Sequence, residues 1–112
     1  MKIYLPIRTV SESNQSEHWA FRARRAQQQR SIAVAVIRSE LRQFGYLPPH
    51  LITMTRIALR RLDVGNLATS MKHVQDGVAD ALGINDGDAR ISWLYAQRKG
   101  KPQEYAVEVE IE

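Results

Sequence analysis

The sequence from His18 to Phe44 contains neither proline nor glycine and is rich in Ala, Arg and Gln. These residue types favour the α-helix, so the segment predicts one long helix. Gly45 can end that helix in a backbone conformation that other residues avoid, and Pro48 and Pro49 prevent it from resuming. The remaining sequence must then supply elements that cover the apolar side of this helix.

Only the second half of the predicted helix has an apolar stripe suited to burial. The stripe consists of Val34, Ile37, Leu41 and Phe44. The first half, FRARRAQQQR, is basic and almost without core residues. We therefore expect the first half to project from the body of the protein or to pack against DNA or a protein partner.

The rest of the chain predicts four short strands and a second helix. Alternating apolar side chains predict strands at residues 2–8, 91–95 and 104–112. Residues 51–60 are rich in β-branched types and carry apolar side chains on both faces, which predicts a central strand. The second helix, residues 66–83, has the predicted buried stripe Leu67, Met71, Val74, Val78 and Leu82.

The predicted order of elements is β-α-β-α-β-β, with RKGKPQ at 98–103 as the turn between the last two strands. This order is typical of the α+β class. We expect a single domain over residues 1–112, in which two helices pack on a mixed sheet of about four strands.

Composition excludes several classes of protein. Hydrophobic residues make up 44% and charged residues 25% of the 112 residues, as in ordinary globular domains. No apolar run is long enough to span a membrane, and the opening KIYLPIR resembles a strand rather than a signal peptide. Without cysteine there is no disulfide framework, thiolate zinc site or thiol nucleophile. These features predict a cytoplasmic protein.

The net charge of +4 is unevenly distributed along the chain. Residues 1–56 hold nine Lys and Arg against three Asp and Glu, a net charge of +6. Residues 57–112 hold seven against nine, a net charge of −2. This asymmetry suits a protein that grips a polyanion in one place and processes it in another. Ordinary charge scatter on solvated helices is the alternative.

Three aspartates are candidate ligands for a divalent cation. Asp63 closes the predicted central strand, while Asp86 and Asp88 open the next one. If those strands are neighbours, both segments could reach the same end of the sheet. Mg²⁺ prefers carboxylate oxygens, and its site is usually completed by substrate phosphates. As structural alternatives, Asp63 or Asn66 could cap a helix, and Asp86-Gly87-Asp88 could be an ordinary turn.

Other candidates are weaker. Lys72 and Asp76 lie one helical turn apart and could be only a surface ion pair. The histidines lack metalloprotease spacing, and no nucleophile elbow or Walker-type glycine loop is present. Trp19 and Trp93 are expected to be packing residues rather than base-stacking platforms.

The run RRLDVGNLATSMKHVQDGVADALGINDGDARI, residues 60–91, resembles the RusA-type Holliday junction resolvases found in prophages. That family carries a D-x-D-N motif, a Lys ahead of an Asp-containing helix, and downstream acids before an alternating strand. Asp63 and Asn66 match the first motif, Lys72 and Asp76 match the second, and Asp88 with nearby Asp86 matches the third. The loop SESNQSEHW resembles the family's Asn-containing loop less specifically.

The resemblance implies a homodimer that binds four-way DNA junctions and cuts them with Mg²⁺, or with Mn²⁺, in DNA recombination and repair. Asp63, Asp86 and Asp88 would hold the metal. Lys72 would act with Asp63 and Asp88 in catalysis, by stabilising charge on the scissile phosphate or positioning the attacking water. Asn66 and Asp76 would support the site.

The resemblance also suggests which residues contact DNA. The arginines of the basic helix would grip the phosphate backbone without sequence preference, and those near the end of the central strand would contact flanking phosphates. The expected DNA-binding residues are Asn14, Arg22, Arg24, Arg25, Arg30, Arg56, Arg60 and Arg61.

Two departures from the family pattern leave alternatives open. Gly65 stands where the motif has its second Asp, and two extra residues separate Asn66 from Lys72. A lost carboxylate should weaken Mg²⁺ binding, although Asp86 could compensate. The chain could therefore be an active endonuclease, a catalytically impaired DNA-binding protein, or a small interaction protein whose acids only cap and solubilise.

Overall fold

The computed structural model describes residues 1–11, 18–45 and 48–112, and it has the α+β architecture expected from the sequence. Asn14 lies outside the described residues. The four strands and three helices are β1 (Lys2–Leu5), α1 (Trp19–Phe44), β2 (Leu51–Ala58), α2 (Val64–Ser70), α3 (Lys72–Leu82), β3 (Ser92–Lys99) and β4 (Ala106–Ile111).

The four strands form one mixed sheet in the order β1-β4-β2-β3. β4 is antiparallel to both β1 and β2, whereas β2 and β3 run parallel. β2 thus lies between β4 and β3, which confirms the central position predicted from its apolar residues. Because parallel neighbours cannot be joined by a tight turn, the chain crosses from β2 to β3 through α2 and α3.

The core lies on one face of this sheet. Met54 of β2 is level with Val109 of β4 on one side and with Tyr95 of β3 on the other. Met54 and Val109 are fully buried and Tyr95 is half-buried. Exposed or half-buried residues such as Tyr4 and Glu108 occupy the opposite face. The helices therefore cover one face, which is the usual α+β arrangement.

The second predicted helix is two helices rather than one. The break falls at Met71, whose N–H donates to the carbonyls of Ala68 and Thr69. The buried Ser70 hydroxyl donates to the Leu67 carbonyl at 2.7 Å, so a side chain takes part in hydrogen bonding at the end of α2. The predicted stripe survives the break: Leu67, Met71, Val74, Val78 and Leu82 are all buried.

The stripe predicted for α1 is only partly correct. Gln29, Ala33 and Ile37 form the buried face, and Leu41 is half-buried. Phe44 is 66% exposed because it lies in the last turn of the helix, beyond the fully covered residues. None of the described helices is both long and apolar enough to cross a membrane.

The strand boundaries also differ from the expected ones. β1 ends at Leu5 rather than at residue 8, and β4 spans only Ala106–Ile111. β3 continues to Lys99, so Arg98 and Lys99 belong to the strand and not to the predicted turn. Register explains this difference, since Arg98 and Lys99 pair with the last two residues of β2.

Gly77 provides a test of the packing between α1 and α3. A Cβ at this position would lie 2.6 Å from the Arg30 carbonyl oxygen and 2.7 Å from the Ala33 Cβ. We expect Gly77→Ala to lower the free energy of unfolding by about 1–3 kcal/mol, because the overpacking outweighs alanine's better helix propensity. Urea unfolding measures the difference.

Gly65→Ala is the matched control. Beyond the neighbouring residues and the helix's own backbone, the described atom nearest to its new Cβ would be Asp63 Oδ1, at 4.0 Å. This variant should be as stable as the natural chain or about 0.5–1 kcal/mol more stable. Equal stability of the two alanine variants would contradict the close approach of α1 and α3.

Candidate functional site

The three candidate metal ligands do not lie at one end of the sheet. Asp63 follows the C-terminal end of β2, whereas Asp86 and Asp88 precede the N-terminal end of β3. Because β2 and β3 are parallel neighbours, these are opposite ends of two strands that each span about 23 Å. The expectation of a shared end is therefore wrong. The strands are neighbours, as supposed, but their direction separates Asp63 from Asp88.

Asp63 acts as the N-cap of α2. Its Oδ1 accepts a hydrogen bond of 2.9 Å from the Asn66 backbone N–H, which has no partner within the helix. This is the structural alternative that the sequence left open for Asp63. Gly65 lies between the two residues, and the Cβ of any larger residue there would be 4.0 Å from Asp63 Oδ1. A second acid at position 65 would therefore fit beside Asp63.

Lys72 brings two carboxylates together. Its Nζ lies 2.9 Å from Asp76 Oδ1 and 3.3 Å from Asp86 Oδ2. The hydrogen bond that Lys72 donates to Asp76 is the main cause that raises the pKa of Lys72, and the bond to Asp86 adds to this shift. The ammonium group therefore stays protonated. These groups are partly exposed, so the ion pairs contribute little to stability.

The turn after α3 explains how Asp86 reaches Lys72. Gly83 adopts a left-handed conformation, with φ 67° and ψ 32°, which glycine accepts without strain. The N–H of Ile84 then donates to the Ala79 carbonyl at 3.0 Å. The chain thus reverses at the end of α3 and runs back along the helix. Asp86 meets a lysine that is fourteen positions earlier in the sequence.

Asp88 has a different partner. Its carboxylate accepts hydrogen bonds from Arg90 Nη2 at 2.8 Å, Arg90 Nε at 3.1 Å and the Arg90 backbone N–H at 2.9 Å. The Arg90 side chain lowers the pKa of Asp88 to about 2, and the backbone N–H contributes to the same shift. Asp88 is therefore an ionised acid in a local turn, and its carboxylate contacts Arg90 rather than Lys72.

These positions bear directly on Mg²⁺ binding. In the described ranges, no three His, Asp or Glu side chains are close enough together to hold a metal ion. Asp63 caps a helix at one end of the parallel strands, and Asp88 pairs with Arg90 at the other. The expected set of Asp63, Asp86 and Asp88 thus does not fit a shared metal site in this arrangement.

The arginines of α1 differ in their surroundings. Arg22 and Arg24 are exposed on the first half of the helix, and Arg25 is half-buried. Arg30 forms an ion pair with Asp80 of α3, with an Nη2–Oδ2 distance of 2.6 Å. Arg30 therefore helps to hold α1 against α3.

The aromatic residues near the basic helix depart from expectation. Trp19, predicted to pack, is 73% exposed at the start of α1, and Phe21 nearby is 56% exposed. Trp93 is half-buried beside the core, as predicted.

The arginines of β2 lie at the same end of the sheet as Asp63. Arg56 is only 7% exposed, while Arg60 and Arg61 are exposed after the strand. Arg56 also lies close to Arg8, a residue to which the sequence analysis assigned no role. No local pattern could have revealed this neighbour, because it depends on the pairing of β1 and β2 through β4.

Comparison of the chain with protein-family models, with curated proteins and with solved structures found no match. The structure itself defines the class: an α+β domain whose parallel β2–β3 pair is joined by two helices. Its candidate site is the exposed cluster of Lys72, Asp76 and Asp86. The resemblance to RusA-type resolvases remains a prediction.

The Asp88–Arg90 pair can be tested by titration. In Arg90→Ala we expect the pKa of Asp88 to rise from about 2 toward its ordinary value of 3.8, because the side-chain hydrogen bonds to the ionised form are lost. Any stability that the pair contributes is present above the ordinary pKa and is lost as the pH falls toward 2. Carboxyl ¹³C shifts measured by NMR report the pKa.

Arg98→Ala, which removes an exposed arginine of β3, is the control and should leave the pKa of Asp88 unchanged. A pKa that stays near 2 in Arg90→Ala would show that another group holds the carboxylate ionised.

Proposed function

We propose that this protein is a Mg²⁺-dependent, structure-specific endonuclease of the RusA type, which binds four-way DNA junctions and resolves them in recombination and repair. One observation supports the proposal: Lys72 and Asp76, one helical turn apart, meet Asp86, which is ten or more residues further along the chain, and the resemblance assigns all three to the site. A cytoplasmic location belongs to the same proposal.

In this function Lys72 would act as a fixed positive charge. The carboxylates of Asp76 and Asp86 raise its pKa and limit the directions in which its ammonium group can point. A protonated lysine can stabilise the negative charge that builds on a phosphate during hydrolysis. It is poorly suited to act as a base at neutral pH, because it holds its proton. Lys72 would therefore bind or orient the phosphate rather than remove a proton.

Binding of the junction would rely on the basic surface. Arg22 and Arg24 on α1, together with Arg60 and Arg61 after β2, are exposed. Arginines of this kind contact phosphates and give an affinity that falls as the salt concentration rises. A four-way junction presents pairs of equivalent arms, and a homodimer with twofold symmetry would offer a matching pair of sites.

The Mg²⁺ requirement rests on the resemblance alone. Mg²⁺ is usually bound by one or two carboxylates together with substrate phosphates and water. The three expected ligands do not converge, and the residues that the structure describes hold no group of three such side chains close enough to bind a metal ion.

A second candidate function is junction binding without cutting. Two observations favour it: Gly65 replaces a motif acid, and Asp63 is already used as a helix cap. The first turn of α2 accepts an acid at position 65 both sterically and electrostatically, since negative charge is favourable at a helix N-terminus. Restoring the acid therefore distinguishes the two functions.

Cleavage of a labelled four-way junction with Mg²⁺ or Mn²⁺ tests the proposal. We expect the natural chain to cut, and we expect Lys72→Ala to lower the cleavage rate by about 10²–10³-fold because a charge aimed at the phosphate is lost. Lys101→Ala, which removes an exposed lysine from the β3–β4 turn, should cut at the natural rate.

The variant Gly65→Asp decides between the candidates. If it cuts while the natural chain only binds the junction, the natural protein is an impaired DNA-binding member of the proposed class. If none of these proteins cuts or binds a junction, both candidate functions are wrong.

A further inference from the structure

A second charged site lies at the C-terminal end of β2, apart from the Lys72 cluster. It is a cleft of about 490 Å³ between the segment that follows β1 and the segment that follows β2. Arg8, Ser11, Arg56 and Arg60 are among the residues that line it. Leu62 also lines the cleft, which therefore adjoins the segment that begins at Asp63.

Arg56 is held rigidly in the wall of this cleft. Its Nε donates to Thr9 Oγ1 at 3.1 Å and its Nη1 donates to the Arg60 carbonyl at 2.7 Å. These bonds engage two of the five N–H donors of the guanidinium group. The side chain is 93% buried, since its exposure is 7%, yet it borders the cleft. A guanidinium fixed in this way has little conformational freedom to lose on binding a ligand.

Arg8 places a second positive charge beside the first. Its guanidinium carbon lies 4.2 Å from the centre of the Tyr105 ring, a cation–π contact that orients the side chain. The Gln29 amide donates to the Arg8 carbonyl at 3.2 Å and ties this segment to α1. Burial lowers the pKa of Arg56, and the charge of Arg8 lowers it further.

The two charges lack a counter-charge within the part of the chain that the structure describes. No Asp or Glu there forms an ion pair with Arg8 or Arg56. Of the two, Arg56 is buried, and a buried charge is normally paired because desolvation is costly otherwise. An anion in the cleft would remove this electrostatic cost. Lys72, in contrast, already has two carboxylates.

Ser11 supplies a neutral hydrogen-bonding group. It is buried and lines the cleft, and among the described residues its hydroxyl has no hydrogen-bond partner. Buried polar groups in native proteins nearly always have one. Together, the hydroxyl and the two guanidinium groups of the cleft residues supply enough N–H and O–H donors for the several acceptor oxygens of one tetrahedral anion.

We propose that Arg8, Ser11 and Arg56 form a binding site for a single phosphate group. Arginine is favoured over lysine for this task, because its planar fork can donate two hydrogen bonds to one phosphate. The phosphate can belong to the DNA backbone, in which case the inference rests on the proposed function. It can also be free phosphate, in which case the site stands without DNA binding.

NMR of the arginine side chains tests the site directly, with inorganic phosphate as the probe. We expect the Arg56 Nε–H resonance to shift and saturate during titration with phosphate, but not with sodium chloride at equal ionic strength. Arg8→Gln should weaken the binding by at least about tenfold, because a hydrogen bond between charged groups is lost. Arg8 is exposed, so the core of this variant is unchanged.

Arg38→Gln is the matched control, because it removes an exposed arginine of α1 that lies outside the cleft. It should bind phosphate like the natural chain. The proposal would be overturned if the Arg56 Nε–H resonance showed no shift specific to phosphate. It would also be overturned if Arg8→Gln and Arg38→Gln weakened phosphate binding equally.

Binding of a fluorescent four-way junction without metal distinguishes the two sources of phosphate. If the backbone occupies the site, Arg8→Gln should reduce the slope of log affinity against log salt by about one, and Arg38→Gln should not. If the Arg56 resonance shifts with phosphate but Arg8→Gln leaves the salt slope of junction binding unchanged, the site binds free phosphate. A natural chain that shows this shift but binds no junction would refute the proposed function and leave the phosphate site supported.

Discussion

The parallel pairing of β2 with β3 determines where the candidate residues between these two strands lie. Parallel strands need a crossover, and here α2 and α3 provide it. Asp63 begins that crossover and Asp88 lies near its end, so strand direction places them at opposite ends of the pair. Lys72 and Asp76 are on the second helix of the crossover, and the turn at Gly83 brings Asp86 back to them.

Two charged sites with opposite electrostatic character result from this arrangement. The Lys72 cluster is compensated, because two carboxylates share one ammonium group. The Arg8–Arg56 cleft, within the described residues, is uncompensated and more deeply set. A phosphate would compete with acids at the first site, whereas at the second the described lining residues offer it positive and neutral donors. The first site thus holds the charge of Lys72 in a fixed position, whereas the second is suited to binding an anion.

The sequence predicted what depends on local periodicity and missed what depends on strand direction. The α+β class and the buried stripe of the crossover helices followed from spacing alone, and so did the Lys72–Asp76 pair. The contact of Lys72 with Asp86 needed a left-handed turn after α3, although Gly83 was a visible signal for a helix end. The separation of Asp63 from Asp88 had no local signal, because hydrophobic patterns do not encode whether neighbouring strands run parallel.

Distances between spin labels test this separation most directly, and the absence of cysteine means that only introduced thiols are labelled. Val64, Ala89 and Lys99 are exposed positions beside Asp63, beside Asp88 and at the end of β3. Parallel pairing predicts that labels at 64 and 99 are closer together than labels at 64 and 89, as measured by pulsed electron paramagnetic resonance. A 64–89 distance equal to or shorter than the 64–99 distance would contradict the arrangement and would bring Asp63 and Asp88 to one site.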